Sequence, residues 1–138
     1  MVREYFFSLA QKAAEIANSY SGGANNIRPE WIYAQWAHES ADFSSKLAES
    51  NHNLGGLCQT EPNDTPQPDG DQYYINFPTF EACAEYFGRY LRHYREDGIY
   101  EAQSLEEYCA ALKRGGYFGD ELANYVAGTS RVYRECFA

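Results

Sequence analysis

The stretch WIYAQWAHES, Trp31 to Ser40, decides the fold of this chain, because it is apolar at nearly every position and ends near a single carboxylate, that of Glu39. Pro29 precedes it, and proline suits the first turn of a helix, where its missing N–H is not needed. A segment that is apolar almost all round predicts a buried central helix, here from about Pro29 to Ala41. Burying an ionised carboxylate is unfavourable by several kcal/mol unless a partner compensates. Glu39 is therefore either satisfied structurally or kept for chemistry.

The length and the charge of the chain exclude several classes of protein. Its 138 residues are enough for one domain with a genuine core, which we assign to residues 1–138. The formal net charge of −9 argues against nucleic acid and against anionic membrane surfaces as partners. The 13 tyrosines either pack in the core or line a groove suited to sugar rings. Lys12 and Glu15 interrupt the apolar N-terminus, so it is more typical of an amphipathic helix than of a signal peptide.

No metal or cofactor is expected. The sequence contains no C-x-x-C, and His38-Glu39 lacks the second histidine of a zinc protease because position 42 is aspartate. We favour buried free thiols over one or two disulfides for the cysteines, since two of them fall inside predicted helices. The four are Cys58, Cys83, Cys109 and Cys136.

The rest of the chain predicts a helical bundle with one β-excursion. Apolar spacing, caps and glycine stops predict helices over residues 3–19, 79–96, 104–113 and 120–135, with one short turn at 44–50. Between them, the loop 61–71 is rich in proline and acids, and short strands at 57–59 and 73–77 flank it. The predicted fold is therefore mainly α, in an α+β arrangement: a bundle around the central helix, with a β-hairpin lobe over about residues 54–77.

Glu39 is the strongest candidate for chemistry. Burial and the carbonyl end of a helix both raise the pKa of a carboxyl group, and a raised pKa is what a general acid needs near neutral pH. Gln35 lies one turn back on the same face, with Trp36 beside it. The alternative is a water-exposed glutamate that is hydrogen-bonded to Ser40 or His38.

Four motifs, in order, resemble those of bacterial glucosaminidases of glycoside hydrolase family 73. AQWAHESADFSSKLA, residues 34–48, resembles the signature A-Q-x-x-x-E-S-G-W-G-x-S-x-L-A, but departs from it at residues 41–43. HNLGGL, residues 52–57, is similar to N-N-L-F-G-I, with Gly55 in place of the aromatic. Residues 74–87 resemble the F-R-x-Y stretch, and Gly116-Tyr117 with Asp120 is similar to G-Y-A-T-D. The resemblance covers about residues 28–135.

The resemblance implies a lysozyme-like fold and hydrolysis of the N-acetylglucosaminyl β-1,4 linkage of peptidoglycan. It makes Glu39 the general acid that protonates the leaving oxygen. A carboxylate of the β-lobe should assist it, and counting back from Tyr74 gives Glu61, with Asp64 and Asp71 as alternatives. Tyr117 would support the N-acetyl group or the transition state.

The resemblance also implies how the protein meets its substrate. The expected sugar-binding residues are Gln35, Trp36, Asn53, Tyr74 and Asp120. We expect a monomer that binds peptidoglycan glycan strands and is secreted, associated with the cell wall or periplasm, or encoded by a phage. Two alternatives stay open: a lysozyme or lytic transglycosylase of the same fold, and a non-catalytic wall-binding or phage-tail module, which the departures at residues 41–43 and at Gly55 would favour.

Overall fold

Helices make up most of the structure, a computed structural model that describes residues 2–58 and 74–137. The α-helices in these ranges are α1 (Val2–Asn18), α2 (Pro29–Glu39), α3 (Lys46–Asn51), α4 (Phe80–Tyr90), α5 (Leu105–Arg114) and α6 (Leu122–Phe137). Two 3₁₀ helices, Leu91–Asp97 and Ile99–Glu101, lie between α4 and α5. The prediction of a mainly α fold is confirmed. No helix in the described ranges is long and apolar enough to cross a membrane.

α2 is largely buried, since every residue from Trp31 to Ala37 is buried. α1 packs against α2 and α4, and α6 packs against α2 and α5. α2 and α6 run antiparallel, since Tyr33 contacts Phe137 while Glu39 contacts Tyr125. The C-terminal end of α2 therefore lies beside the N-terminal half of α6.

Side-chain caps fix the starts of α4 and α5 as the sequence predicts. Thr79 accepts a hydrogen bond from the Ala82 N–H at 3.0 Å, and Ser104 accepts one from the Glu107 N–H at 3.1 Å. The helix predicted over residues 79–96 is α4 up to Tyr90 and then continues as a 3₁₀ helix to Asp97.

α2 ends at Glu39, two residues before the predicted end, because the next residues leave the helical conformation. Ala41, Asp42 and Phe43 have φ values of 51°, 58° and 67°, in the left-handed region that strains residues other than glycine. The family signature has glycines at positions 41 and 43, which suits this backbone. Here the turn is held by Ser40, whose hydroxyl donates to the Trp36 carbonyl at 2.6 Å and accepts from the Phe43 N–H at 2.9 Å.

The predicted hairpin is reduced, in the described residues, to one antiparallel bridge between Cys58 and Tyr74. Beside this bridge the Ile75 N–H donates to the Leu57 carbonyl at 3.0 Å, and one side chain adds further hydrogen bonds to the same segments. The Asn53 amide nitrogen donates to the carbonyls of Leu57 and Ile75 at 2.9 and 3.0 Å, and its oxygen accepts from the Leu57 N–H at 2.9 Å. These backbone groups are thus satisfied without extended strands, and the strands predicted at 57–59 and 73–77 are not formed over their described residues.

None of the four cysteines forms a disulfide bond in the structure. Cys83 and Cys109 are buried inside helices, as the helix pattern predicts, whereas Cys58 is exposed. Burial raises the pKa of the Cys83 thiol to about 12, so this group is inert packing rather than a nucleophile.

Candidate active site

Glu39 occupies the last position of α2, half-buried beside α6. The Tyr125 hydroxyl donates a hydrogen bond to the Glu39 carboxylate at 3.0 Å. Burial raises the pKa of Glu39 above its ordinary value, and the hydrogen bond from Tyr125 lowers this pKa by a smaller amount. The net rise favours a carboxyl group that holds its proton to higher pH than an ordinary glutamate does, as a general acid requires.

Tyr125 is held rigidly against Glu39. It is only 2% exposed, and its ring stacks on Phe118 with centroids 3.7 Å apart and planes 3° from parallel. The edge of the His38 ring contacts it from α2, at 4.8 Å between centroids. This tyrosine was not predicted as a site residue. The available signal was the inner face of α6, where Tyr125 is the first of three buried residues at helical spacing, followed by Thr129 and Val132.

A glycine allows α6 to approach α2 at this point. A Cβ at Gly128 would lie 2.4 Å from two atoms of the His38 ring, so a larger residue would push the helices apart. Burial lowers the pKa of His38, and the nearby Asp120 carboxylate opposes this effect. The close contact sets the distance between the helix that carries Glu39 and the helix that carries Tyr125.

Tyr117 closes the other side of the site. Its hydroxyl donates to the Gly55 carbonyl at 2.7 Å, which ties the turn at residues 53–57 to the segment after α5. Burial raises the pKa of Tyr117 well above its ordinary value, and the charge of Glu39 raises this pKa further, so the two groups interact electrostatically. A Cβ at Gly55 would lie 2.7 Å from the Tyr117 hydroxyl and 3.3 Å from the Phe87 ring. The space beside the Gly55 backbone is therefore already filled by aromatic side chains from elsewhere in the chain.

Gln35 and Trp36 lie behind the site rather than on its surface, since both are fully buried. The Tyr108 hydroxyl donates to the Gln35 side-chain oxygen at 2.6 Å. The Trp36 ring packs edge-on against Phe87, with centroids 5.3 Å apart. Neither side chain can touch a sugar in this conformation, and both instead support the helix that ends in Glu39.

The remaining predicted sugar-binding residues occupy different positions. Asn53 is buried and uses its amide to hold the 53–57 turn. Tyr74 is half-buried at the β-bridge. Asp120 is exposed, and its carboxylate accepts from the Asn124 amide at 3.2 Å and from the Glu121 N–H at 2.8 Å, which lowers the pKa of Asp120. The structure thus joins Tyr117 to the 53–57 turn, where the charge of Glu39 raises the pKa of Tyr117, while Asp120 lies two residues before α6.

The three acids considered as partners of Glu39, namely Glu61, Asp64 and Asp71, lie outside the described residues. Within residues 2–58 and 74–137, no group of three or more histidine, cysteine, aspartate or glutamate side chains could hold a metal ion.

Comparison with known proteins identifies the family and the fold of the chain. The sequence profile of the glucosaminidase family, described as mannosyl-glycoprotein endo-beta-N-acetylglucosaminidase, matches residues 11–136. Among solved structures, the chain is similar to the catalytic domain of the autolysin Auto from Listeria monocytogenes, with a TM-score of 0.64 and 20% sequence identity. That alignment covers 96% of this chain and 83% of the Listeria domain, so the two share a fold. No curated protein sequence matches closely enough to add to the comparison.

Proposed function

Because the chain belongs to the glucosaminidase family, and is therefore a glycosidase, we propose that it hydrolyses the N-acetylglucosaminyl β-1,4 linkage of peptidoglycan with Glu39 as the general acid. The observation that carries this proposal is the state of Glu39 itself. It is half-buried at the end of α2, its pKa is raised by burial, and it receives one hydrogen bond from Tyr125. A glutamate kept only for its charge would instead be exposed or paired with a cation.

The proposed reaction begins with transfer of the Glu39 proton to the oxygen of the scissile glycosidic bond. The bond breaks as the proton arrives, and positive charge develops on the sugar ring. A second carboxylate stabilises that charge or activates water, and we propose Glu61 for this role on the sequence alone. The deprotonated Glu39 that remains is stabilised by the hydrogen bond from Tyr125.

Tyr117 supports the reaction in this proposal by holding the 53–57 turn beside the acid. Its proton is engaged by the Gly55 carbonyl, which leaves the lone pairs of its oxygen to accept a hydrogen bond from the N-acetyl N–H of the substrate. Asp120 and Tyr74 are proposed to contact the glycan at the edges of the site. In this proposal the protein acts as a monomer on glycan strands. It is secreted, associated with the cell wall or periplasm, or encoded by a phage.

The decisive test of the acid is Glu39→Gln, which keeps the size of the side chain but replaces the carboxyl group with an amide that cannot donate a proton to the leaving oxygen. We expect release of soluble muropeptides from purified sacculi to fall by roughly 10²–10⁴-fold, the usual contribution of a general acid. Glu49→Gln, an exposed glutamate of α3, is the matched control and should keep full activity. Unchanged release by Glu39→Gln, with the helical circular dichroism spectrum intact, would remove Glu39 from the mechanism.

The bond that is cut is decided by mass spectrometry of the products. Reducing-end N-acetylglucosamine supports the proposal. Reducing-end or 1,6-anhydro N-acetylmuramic acid would instead identify a lysozyme or a lytic transglycosylase, and binding to sacculi without any product would identify a wall-binding module.

The partner carboxylate is tested by comparing Glu61→Gln with Asp64→Asn and Asp71→Asn. We expect the first substitution to lower the rate by at least tenfold and the other two to leave it within about twofold. A larger loss in either aspartate variant would transfer the role to that residue.

A further inference from the structure

A cavity of about 780 Å³ lies at the opposite end of α2 from Glu39. Trp31 contributes to its wall and precedes Glu39 by eight residues, which places the two about 12 Å apart along the helix axis. The other walls come from the segment before α2, from the start of α5 and from the last turns of α6. Because neither the 53–57 turn nor Tyr117 or Tyr125 lines it, this cavity is separate from the candidate active site. Its size is in the range of small-ligand sites.

Unused polar groups concentrate around this cavity. Six polar side chains that line it have no hydrogen-bond or ion-pair partner within residues 2–58 and 74–137. They are Asn25, Gln103, Glu106, Ser130, Arg134 and, through its hydroxyl, Tyr133. Ser130, Tyr133 and Arg134 stand at i, i+3 and i+4 on one stripe of α6, so their side chains enter the cavity together. These side chains are partly or fully exposed, so water solvates them in the free protein, and a polar ligand can replace that water at the wall of the cavity.

The charges of the cavity limit what that ligand can be. Arg134 and Glu106 carry opposite charges and both line the cavity, yet they form no salt bridge with each other. The other arginine of the wall, Arg28, already contacts the Glu30 carboxylate at 3.8 Å. An unpaired guanidinium and an unpaired carboxylate at separate points complement a ligand that carries both a carboxylate and an ammonium group. A neutral sugar uses neither charge, and a polyanion would be repelled by Glu106.

We propose that this cavity binds the peptide that branches from the glycan strands of the wall. Its free carboxylate would pair with Arg134, the free amine of its diamino acid would pair with Glu106, and the amides of Asn25 and Gln103 would bond to its peptide groups. This inference rests on peptidoglycan as the substrate, but not on the role of Glu39. The bound peptide would hold its glycan strand on the enzyme at a site remote from the bond that is cut. The enzyme should therefore prefer glycan that carries peptides over glycan without them.

The test is isothermal titration calorimetry with the full chain and a synthetic stem tetrapeptide that has a free C-terminal carboxylate and a free side-chain amine. We expect saturable binding, weakened about tenfold or more by Arg134→Ala, which removes a charge-assisted hydrogen bond. Arg131→Ala is the matched control, since Arg131 lies on the same helix and contacts Glu135 instead. Glu106→Gln should weaken the binding of the peptide with a free side-chain amine by a similar factor. It should not change the binding of a peptide whose side-chain amine is acetylated.

Three results would overturn the proposal: no binding of the tetrapeptide to the wild-type protein, equal losses in the Arg134 and Arg131 variants, or displacement of the peptide by a peptide-free N-acetylglucosamine tetramer, which would assign the cavity to glycan. Glu39→Gln separates this inference from the proposed function. That variant should bind the tetrapeptide as the wild type does while it fails to release muropeptides. If it remains active, the acid is misassigned and the peptide site still stands.

Discussion

Tyr125→Phe removes the O–H group that donates a hydrogen bond to Glu39, the candidate acid, and changes little else. The phenylalanine ring keeps the stack on Phe118 and the edge contact with His38, so the packing of α6 on α2 is preserved. What is lost is the 3.0 Å hydrogen bond to the Glu39 carboxylate. The variant therefore isolates the effect of that bond on the acid.

The size of the effect follows from the geometry. A hydrogen bond to a charged group contributes about 1.5–3 kcal/mol. Glu39 is partly exposed, and water can replace part of the lost bond, so we take the lower end of this range. At about 1.4 kcal/mol per factor of ten, kcat should fall by roughly tenfold, since the carboxylate left after proton transfer loses its stabilising donor.

The pH–rate profile of Tyr125→Phe provides a second test, because the direction of its shift is independent of the size of the rate loss. The bond to Tyr125 lowers the pKa of Glu39, because it favours the charged form, and its removal lets this pKa rise further. A general acid must be protonated to act, so the alkaline limb of the pH–rate profile reports its ionisation. We expect this limb to move to higher pH in Tyr125→Phe.

The assay is muropeptide release from purified sacculi, measured from about pH 4 to pH 9, with Tyr20→Phe as the control. Tyr20 is 42% exposed and lies outside the site, so its variant should reproduce the wild-type profile. An alkaline limb that stays in place or moves to lower pH, with the rate unchanged, would refute the view that Tyr125 positions and tunes the acid.

Three further predictions concern stability, measured as the free energy of unfolding in denaturant. Ala41→Gly should raise it by about 1 kcal/mol, because glycine relieves the left-handed strain at φ 51°, and an unchanged midpoint would contradict this strain. Gly128→Ala should lower it by about 1–3 kcal/mol, since the added Cβ meets the His38 ring at 2.4 Å, and a neutral effect would show that the helices are not in contact there. Glu39→Gln should raise it at pH 7. Because the pKa of Glu39 is raised in the folded protein, the wild type loses stability as pH rises through that pKa. The gain in the variant should therefore vanish well below pH 4.5, where the wild-type carboxyl group is protonated in both states. A gain that persists at low pH would have another cause.

The helices were predictable because their signals are local. Thr79 and Ser104 cap helices at the positions that the sequence indicates, and Pro29 starts α2. The early end of α2 was not predictable from propensity, since Ala41 is a good helix former. Its left-handed conformation is imposed by the turn, in which the Asp42 N–H donates to the Ala37 carbonyl at 2.8 Å.

The described part of the predicted hairpin, residues 54–58 and 74–77, contains less extended structure than expected for a different reason. The residues at 73–77 have high β-propensity, but propensity does not tell which group will satisfy a backbone carbonyl. In the folded chain the Asn53 side chain bonds to both Leu57 and Ile75. These side-chain bonds supplement the backbone bond from the Ile75 N–H to the Leu57 carbonyl, and no periodicity in the sequence reveals them.

The partly buried position of Glu39 was predictable, but its hydrogen-bond partner in α6 was not. Glu39 stands out because a carboxylate at the end of an apolar helix needs an explanation. Tyr125 resembles any other core tyrosine in the sequence, and it lies 86 residues from Glu39. Only the antiparallel packing of α2 and α6 brings the two together. Gln35 and Trp36 were predicted to bind sugar because they lie close to Glu39 on the same helix. In the structure both side chains are buried in the core instead.

The departures from the family signature are compensated in ways that bear on catalysis. Phe43 replaces a glycine in a left-handed turn, and its ring stacks on Phe6 with centroids 4.2 Å apart, so the packing it gains offsets the backbone strain. Gly55 replaces an aromatic residue, and the space beside it is taken by the Tyr117 hydroxyl and the Phe87 ring. Both changes alter the walls of the site and leave the hydrogen bond to Glu39 in place. Burying the Glu39 carboxylate lowers stability when it is charged, and its hydrogen bond from Tyr125 is present in spite of these departures. The departures at residues 41–43 and at Gly55 are therefore compatible with the proposed role of Glu39, and the Glu39→Gln assay decides between that role and a non-catalytic module.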